Sequence, residues 1–354
     1  MGNLVIYKEN QIDIVNKIKY YQKLGINAVL IDPFIKVDEE IINKVLSLNN
    51  ILESEGIKII VKIDVTKISA LLLNLDRRVK WSDPKIRKSF YQFINYLKKY
   101  GLSGFYFTNF ENLFDKNPSF YIRELSKNTL ADNNIISIGE VDTADLIYQK
   151  YMASRDYNNF SYIYNKYLVK ETKNLVDTKK YLSASQNEGI NQLYSTNNGL
   201  VNFINNKNFP FLTKSLLAGI SFFLKGSIIL NKFEEMGIFD NKTYSNDYKI
   251  LEQTNKTSDF YQKLIKIKTS NEVISKGTYR EIFNKDPDIY AFVRTYKYNK
   301  IIVFANFTQK EILADIRFHF IDINDFNYLI GNYGRRRIVK NLLLRPYEFI
   351  AFIK

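Results

Sequence analysis

The chain contains no cysteine, so disulfide bonds and thiolate metal ligands are excluded. It has a single histidine, His319, on which any Ser-His-Asp triad or multi-histidine metal centre would wholly depend. Acidic residues are short as well: 37 Asp and Glu against 51 Lys and Arg leave a net charge of +14. That surplus raises nucleic acid, an anionic membrane or a phosphorylated substrate as partners. The lysines are scattered, however, and Lys, Asn, Ile, Tyr and Phe are abundant together, a set that A/T-rich codons produce. Compositional drift is the favoured reading and nucleic acid is set aside; the one compact basic cluster is Arg335-Arg336-Arg337. The start, MGNLVIYKENQ, lacks a basic-then-apolar leader, and the apolar stretch at residues 209 to 233 is cut by Lys214 and Lys225. A cytoplasmic protein with no membrane partner is the expectation.

What is present is enough for a large core. A chain of 354 residues, 45% of them hydrophobic and 15% aromatic, can hold one α/β barrel and a small second domain. The organising stretch is Gly101 to Asn112, GLSGFYFTNFEN. Leu102 to Phe107 reads as a buried strand that opens into a polar loop. Before it, Phe90, Phe93, Ile94 and Leu97 recur at helical spacing within Lys88 to Lys99, so helix then buried strand forms half of a βα repeat. Comparable units recur: a strand at Asn3 to Tyr7, a helix at Ile12 to Leu24 closed by Gly25, a strand at Ala28 to Ile31 and one from Gly56 to Val61. From Gly277 the period changes to short strands with turns. The expected fold class is α/β, a shortened (β/α)8 TIM barrel over 1–272, followed by a small antiparallel β-sandwich over 273–354.

Gly104-Phe105-Tyr106-Phe107-Thr108 resembles the fourth-strand motif Gly-Phe-Arg-x-Asp of glycoside hydrolase family 13, the α-amylase family, in its oligo-1,6-glucosidase and trehalose-6-phosphate hydrolase branch. The resemblance runs through the barrel in order. YQKLGINAVLIDPFIK is similar to the family's second-strand signature, with Asp32 in its serine position. Gly56-Ile57-Lys58-Ile59-Ile60-Val61 is similar to the third-strand Gly-Ile-Lys-Val-Ile-Leu, and Asn74-Leu75-Asp76 with Trp81 to Arg87 to the entry of the next helix. Gly139-Glu140 resembles the fifth-strand Gly-Glu. Lys180 to Gln186 is matched to the seventh strand and Lys232 to Gly237 to the eighth. Asp288 to Arg294, Val303 to Phe307 and Leu344 to Glu348 resemble the C-terminal domain.

The resemblance implies a site, and this chain departs from it. Glu140 takes the place of the general acid and base, and alone of the catalytic set is retained. Thr108 stands where the family has its nucleophilic aspartate, and Gln186 where it has the transition-state-stabilising aspartate. Tyr106 replaces the arginine, Lys62 and Lys67 replace an aspartate and a histidine, and Ser185 replaces the other histidine. The long loop after the second strand is expected to be deleted, since Lys36 to Glu55 passes directly into a helix, and calcium with it, so no metal or cofactor is implied.

A retaining glycosidase needs two carboxyls about 5 Å apart, and a threonine hydroxyl is essentially un-ionised at neutral pH. Glu111 and Asp142 are the carboxylates considered as replacements. Trp81 and His319 are read as structural residues, the histidine within a strand.

The preferred reading is a catalytically silent member of the family, serving as a saccharide-binding or protein-interaction scaffold. The alternative is a working α-glucosidase or phospho-α-glucosidase with Glu140 as acid and base, acting on an α-glucoside or a phosphorylated disaccharide. Lys62 and Lys67 would suit a phosphate there. Nucleic-acid binding through general charge is the third reading and lacks a motif.

Overall fold

A computed structural model describes residues 3–354 except 10, 11, 13, 35, 74–78, 111–117, 133, 155–158, 168–173, 197–199, 201, 202, 205–209, 237–248 and 320. The chain divides into two units: Leu4–Lys166 with Ile190–Leu193, and Met1–Asn3, Tyr167–Gly189 and Tyr194–Lys354. The boundary expected at residue 272 lies inside the second unit.

In the first unit strands and helices alternate: β1 (Val5–Lys8), α1 (Ile18–Leu24), β2 (Ala28–Ile31), α2 (Glu39–Ser54), β3 (Lys58–Asp64), α3 (Val65–Leu72), α4 (Pro84–Lys99), β4 (Gly104–Thr108), α5 (Pro118–Leu125), β5 (Ile136–Val141), α6 (Leu146–Met152) and β6 (Tyr162–Asn165). Local chemistry sets the helix ends. Gly25 closes α1 at φ 84°, a left-handed position that glycine takes without strain. Asp38 caps α2, accepting from the Ile41 N–H at 2.9 Å, and Asp83 caps α4 with Pro84 in its first turn. The strands pair in parallel, β1 with β2 and onward to β6. Every residue of β2 and of β4 is buried, as parallel strands covered on both faces require.

The second unit continues with α7 (Leu175–Asn187), β7 (Leu193–Ser195), α8 (Pro210–Phe223), β8 (Ser227–Leu230), α9 (Lys249–Ser270) and α10 (Glu272–Lys276). Strands β1 to β8 belong to one eight-stranded sheet, and with their helices they make the expected (β/α)8 architecture. Seven antiparallel strands follow: β9 (Thr278–Ile282), β10 (Ile289–Tyr296), β11 (Asn299–Asn306), β12 (Ile312–Asp315), β13 (Asn327–Gly331), β14 (Asn341–Leu344) and β15 (Phe349–Ile353). They form a five-stranded sheet ordered β13-β15-β11-β10-β9 and a two-stranded ribbon of β12 and β14. Ile289, Ala291, Ile302, Phe304, Ala314, Leu342, Leu344 and Phe352 share one core, so this is the small C-terminal β domain.

The second unit also buries cations against backbone carbonyls. Lys179 of α7, fully buried, donates to the carbonyls of Phe283, Asp286 and Ile289 at 2.7, 2.6 and 2.9 Å. Burial pushes its ammonium below the ordinary lysine range.

Two sequence expectations are corrected here. Lys180 to Gln186 is not the seventh strand: it lies in α7, and the strand is Leu193–Ser195. His319 is not in a strand either. Asp315 accepts from the Arg317 N–H at 3.1 Å and turns the chain into a single 3-10 turn over Ile316–His319, where the histidine ring lies 4.1 Å from the Phe283 ring. β14 was not anticipated as a strand. Trp81 is buried, as expected of a packing residue, with its ring edge-on to Phe90, Tyr91 and Tyr121. Among the described residues no helix is long and apolar enough to cross a membrane.

Candidate functional site

The parallel register places the expected site residues side by side at the C-terminal ends of the first unit's strands. Lys62 on β3 is level with Tyr106 on β4, Asp64 with Thr108, and Glu140 on β5 with Tyr164 on β6. Strand side chains alternate between faces. Tyr106 and Glu140 therefore share one face, while Phe105 and Phe107 take the other, where Phe107 meets Phe90 of α4 with ring centroids 6.4 Å apart. Within β5, Gly139 makes room for the Phe160 ring beside Glu140: a Cβ there would sit 2.2 Å from that ring.

Both carboxylate oxygens of Glu140 are taken. The Tyr106 hydroxyl donates to Oε2 at 2.9 Å, and the Lys166 ammonium, just past β6, pairs with Oε1. Burial, and then the neighbouring Glu140, push the Tyr106 hydroxyl well above the usual phenol range, so it stays protonated and donating. Tyr164 stands edge-on to Tyr106, centroids 6.3 Å apart, and burial raises its hydroxyl in the same direction.

Thr108 is buried, 3% exposed, and its hydroxyl has no hydrogen-bond partner among the described residues. The chain turns immediately after it: Asn109 has φ 58°, a conformation asparagine tolerates better than most residues. The turn is tied to α3, since the Asn109 amide donates to Asp64 Oδ2 at 2.8 Å and the Asn109 carbonyl accepts from the Thr66 hydroxyl at 3.3 Å. Asp64 Oδ1 caps α3 through the Lys67 N–H at 3.0 Å. Asp32 at the end of β2 pairs with Lys62 at 2.7 Å. Asp32, Phe34, Lys62, Asp64, Lys67 and Ile68 line a small polar pocket of about 60 Å³.

Of the expected residues, Lys62, Lys67, Tyr106, Thr108 and Glu140 are thus gathered at these strand ends. Asp142 lies one residue past β5 and is exposed. Glu111, and the stretch Asn74 to Asp76, lie outside the described residues. Ser185 and Gln186 are placed differently: both are buried in α7 of the second unit. The Gln186 amide donates to the Tyr194 hydroxyl at 2.8 Å and to the Lys225 carbonyl at 3.1 Å. Its carbonyl oxygen accepts from the Lys225 N–H at 2.7 Å and from Arg294 at 2.5 Å. All of its hydrogen-bonding capacity is spent on structure. The matched Glu234 after β8 is also internal, fully buried and accepting from the Asn231 N–H at 2.9 Å and the Tyr261 hydroxyl at 3.2 Å. Sequence reasoning missed Lys166. The signal available was a lysine directly after the sixth strand, at the level where barrel side chains converge. Among the described residues no group of three His, Asp or Glu could hold a metal ion.

No family model matches the chain. Sequence comparison finds an oligo-1,6-glucosidase of Bacillus cereus, 37% identical over 94 residues, which is 26% of this chain and 17% of that protein. A trehalose-6-phosphate hydrolase of Bacillus subtilis is 33% identical over 93 residues, again 26% of this chain and 17% of the relative. The sequence matches thus span under a fifth of these relatives. The fold extends the likeness: the trehalose-6-phosphate hydrolase of Bacillus licheniformis superposes with a TM-score of 0.78 at 14% identity, over 99% of both chains. A mutant of MutB in complex with its substrate sucrose superposes with a TM-score of 0.79 at 13% identity, over 99% of both chains. The chain is homologous to oligo-1,6-glucosidases and trehalose-6-phosphate hydrolase of glycoside hydrolase family 13, and its fold is their barrel with a C-terminal β domain.

Proposed function

We propose that this chain is a catalytically silent α-glucosidase-type barrel that binds an α-glucoside or a phosphorylated disaccharide at its strand ends without cleaving it. The observation that carries the reading is the state of Glu140. A general acid must hold a proton and aim it at the leaving oxygen. Glu140 has one oxygen held by the Lys166 ammonium and the other by the Tyr106 hydroxyl, so both of its oxygens are engaged by the protein's own side chains rather than turned to a leaving oxygen.

The second half of the chemistry is missing as well. In a retaining reaction a second carboxylate attacks the anomeric carbon. Thr108 occupies that strand position with its hydroxyl buried, and without a base within reach a hydroxyl is a poor nucleophile. What remains suits binding: tyrosine edges, paired Asp and Lys side chains, and the Lys67 ammonium.

The test is a hydrolysis screen on aryl α-glucosides, isomaltose and trehalose 6-phosphate, run beside calorimetric titration of the same sugars. Glu140→Gln is the control in both. Binding without turnover is the expected result. Turnover that disappears in Glu140→Gln would instead establish a working glucosidase and direct the search to Glu111 and Asp142 for the second carboxylate.

A further inference from the structure

The β12–β14 ribbon of the C-terminal domain carries features that the strand-end site does not use. Its inner face holds Ala314, Leu342 and Leu344, all buried in the domain core. Its outer face is apolar too. Leu313 and Leu343 stand directly opposite each other across the ladder and are 54% and 43% exposed. Val339, 48% exposed, lies two residues before β14. Single exposed apolar residues are ordinary, whereas a contiguous exposed group on one face marks a contact surface.

The ribbon also has an open edge. Among the described residues β12 has β14 as its one neighbour. The Ile316 N–H donates to the Lys340 carbonyl at 2.8 Å, while the Leu343 carbonyl is turned away from β12 and accepts from Arg336 at 2.6 Å. In an antiparallel pair these two facts fix the alternation: residues 312, 314 and 316 bond within the ribbon. Leu313 and Asp315 therefore turn their N–H and carbonyl groups to the free edge of β12, a template for an added strand.

Most of the unpaired charges around this face are positive. Arg335, Arg337 and Lys340 are exposed and form no ion pair among the described residues. Arg336 is the member of the cluster that the fold uses, held to Glu348 at 2.7 Å. Asp315 is already neutralised by Arg317 at 2.6 Å, which leaves Glu311 as the unpaired acid beside the strand.

We propose that the outer face and free edge of the β12–β14 ribbon dock an extended polypeptide segment of a partner protein that carries acidic and apolar side chains. Backbone bonds to β12 would be supplied by the segment, its apolar residues cover Leu313 and Leu343, and its carboxylates meet Arg335, Arg337 and Lys340. A lipid surface fits less well, because hydrocarbon offers no partners to the free N–H and carbonyl groups of the edge. A second copy of this chain fits less well too, since it would bring one cationic face against another.

The test uses the full chain and a fluorescein-labelled peptide alternating Glu with Val and Leu, followed by anisotropy. A peptide with Lys in place of Glu, and the acidic peptide N-methylated at alternate residues, serve as controls for charge and for edge pairing. Saturable binding of the acidic peptide alone is expected, weakened at least about tenfold by the R335E/R337E/K340E variant and by L313S/L343S. Urea midpoints of both variants, matched to the parent, confirm that the fold is intact. Equal binding of the basic or N-methylated peptide, insensitivity to both variants, or no saturable binding would overturn the proposal. So would recruitment to phosphatidylserine vesicles, or a concentration-dependent dimer, that the same variants abolish while the peptide fails to bind.

Discussion

Glu281 on β9 links the stability of the C-terminal domain to pH. Its carboxyl is half-buried, Oε1 has no hydrogen-bond partner among the described residues, and burial pushes the group up from 4.5 to about 7, against the pull of the Lys179 ammonium. The folded state therefore binds a proton more readily than the unfolded state. The contribution is fully present below the unfolded value of 4.5 and is lost as pH rises through about 7. At about 1.36 kcal/mol per pH unit the full interval corresponds to about 3.4 kcal/mol, and partial solvent access reduces this to about 1 to 2 kcal/mol. Other groups titrate over the same range: burial raises Glu348 and lowers His319, with opposite effects on the slope. The informative quantity is thus the difference between parent and Glu281→Gln, which carries no titrating proton at that position. Urea unfolding followed by circular dichroism at pH 5.5 and pH 8.0 should show the parent losing about 1 to 2 kcal/mol more than the variant. An identical pH dependence in the two proteins, or a steeper one in the variant, would refute the assignment of the raised carboxyl to Glu281.

Thr108→Val should be neutral or stabilising by up to about 1 kcal/mol, because it removes a buried hydroxyl that has no partner and keeps the shape; a loss above that by thermal unfolding would mean the hydroxyl is engaged. Gln186→Leu leaves the buried Arg294 and the Lys225 N–H without their acceptor, and should cost about 2 to 4 kcal/mol while sugar affinity, measured calorimetrically, stays within about threefold. A selective loss of sugar binding there would return Gln186 to the ligand site. Gly139→Ala places a Cβ 2.2 Å from the Phe160 ring and should destabilise by about 2 to 3 kcal/mol in urea; shortening the ring in Gly139→Ala/Phe160→Leu should recover part of it.

How much of this was readable in advance varies with the element. The fourth and fifth strands were legible because Phe105, Phe107, Ile136 and Ile138 are fully buried and lie in short runs bounded by glycine and polar turns. The segment before the seventh strand was not. α7 buries Thr178, Lys179, Ser185 and Gln186 beside Leu175 and Leu182, so its inward face lacks the apolar period that announces a helix. Lys179 and Gln186 find their partners, the carbonyls of Phe283, Asp286 and Ile289 and the Arg294 guanidinium, more than a hundred residues away in the sequence. The strand it displaced, Leu193–Ser195, has three residues, too few to show an alternation.

The sequence by itself determined the barrel and its sheet domain, and it placed Thr108, Lys62 and Tyr106 at strand ends whatever the detailed packing. Local patterns suffice there: burial periodicity and turn residues act over a few positions. Only the tertiary structure decided what Glu140 is doing. Its partners come from neighbouring strands, Tyr106 from β4 and Lys166 from the end of β6, and a contact across parallel strands is set by register rather than by spacing along the chain. The same holds for Gln186, which was expected at a strand end and which packing makes a buried structural amide.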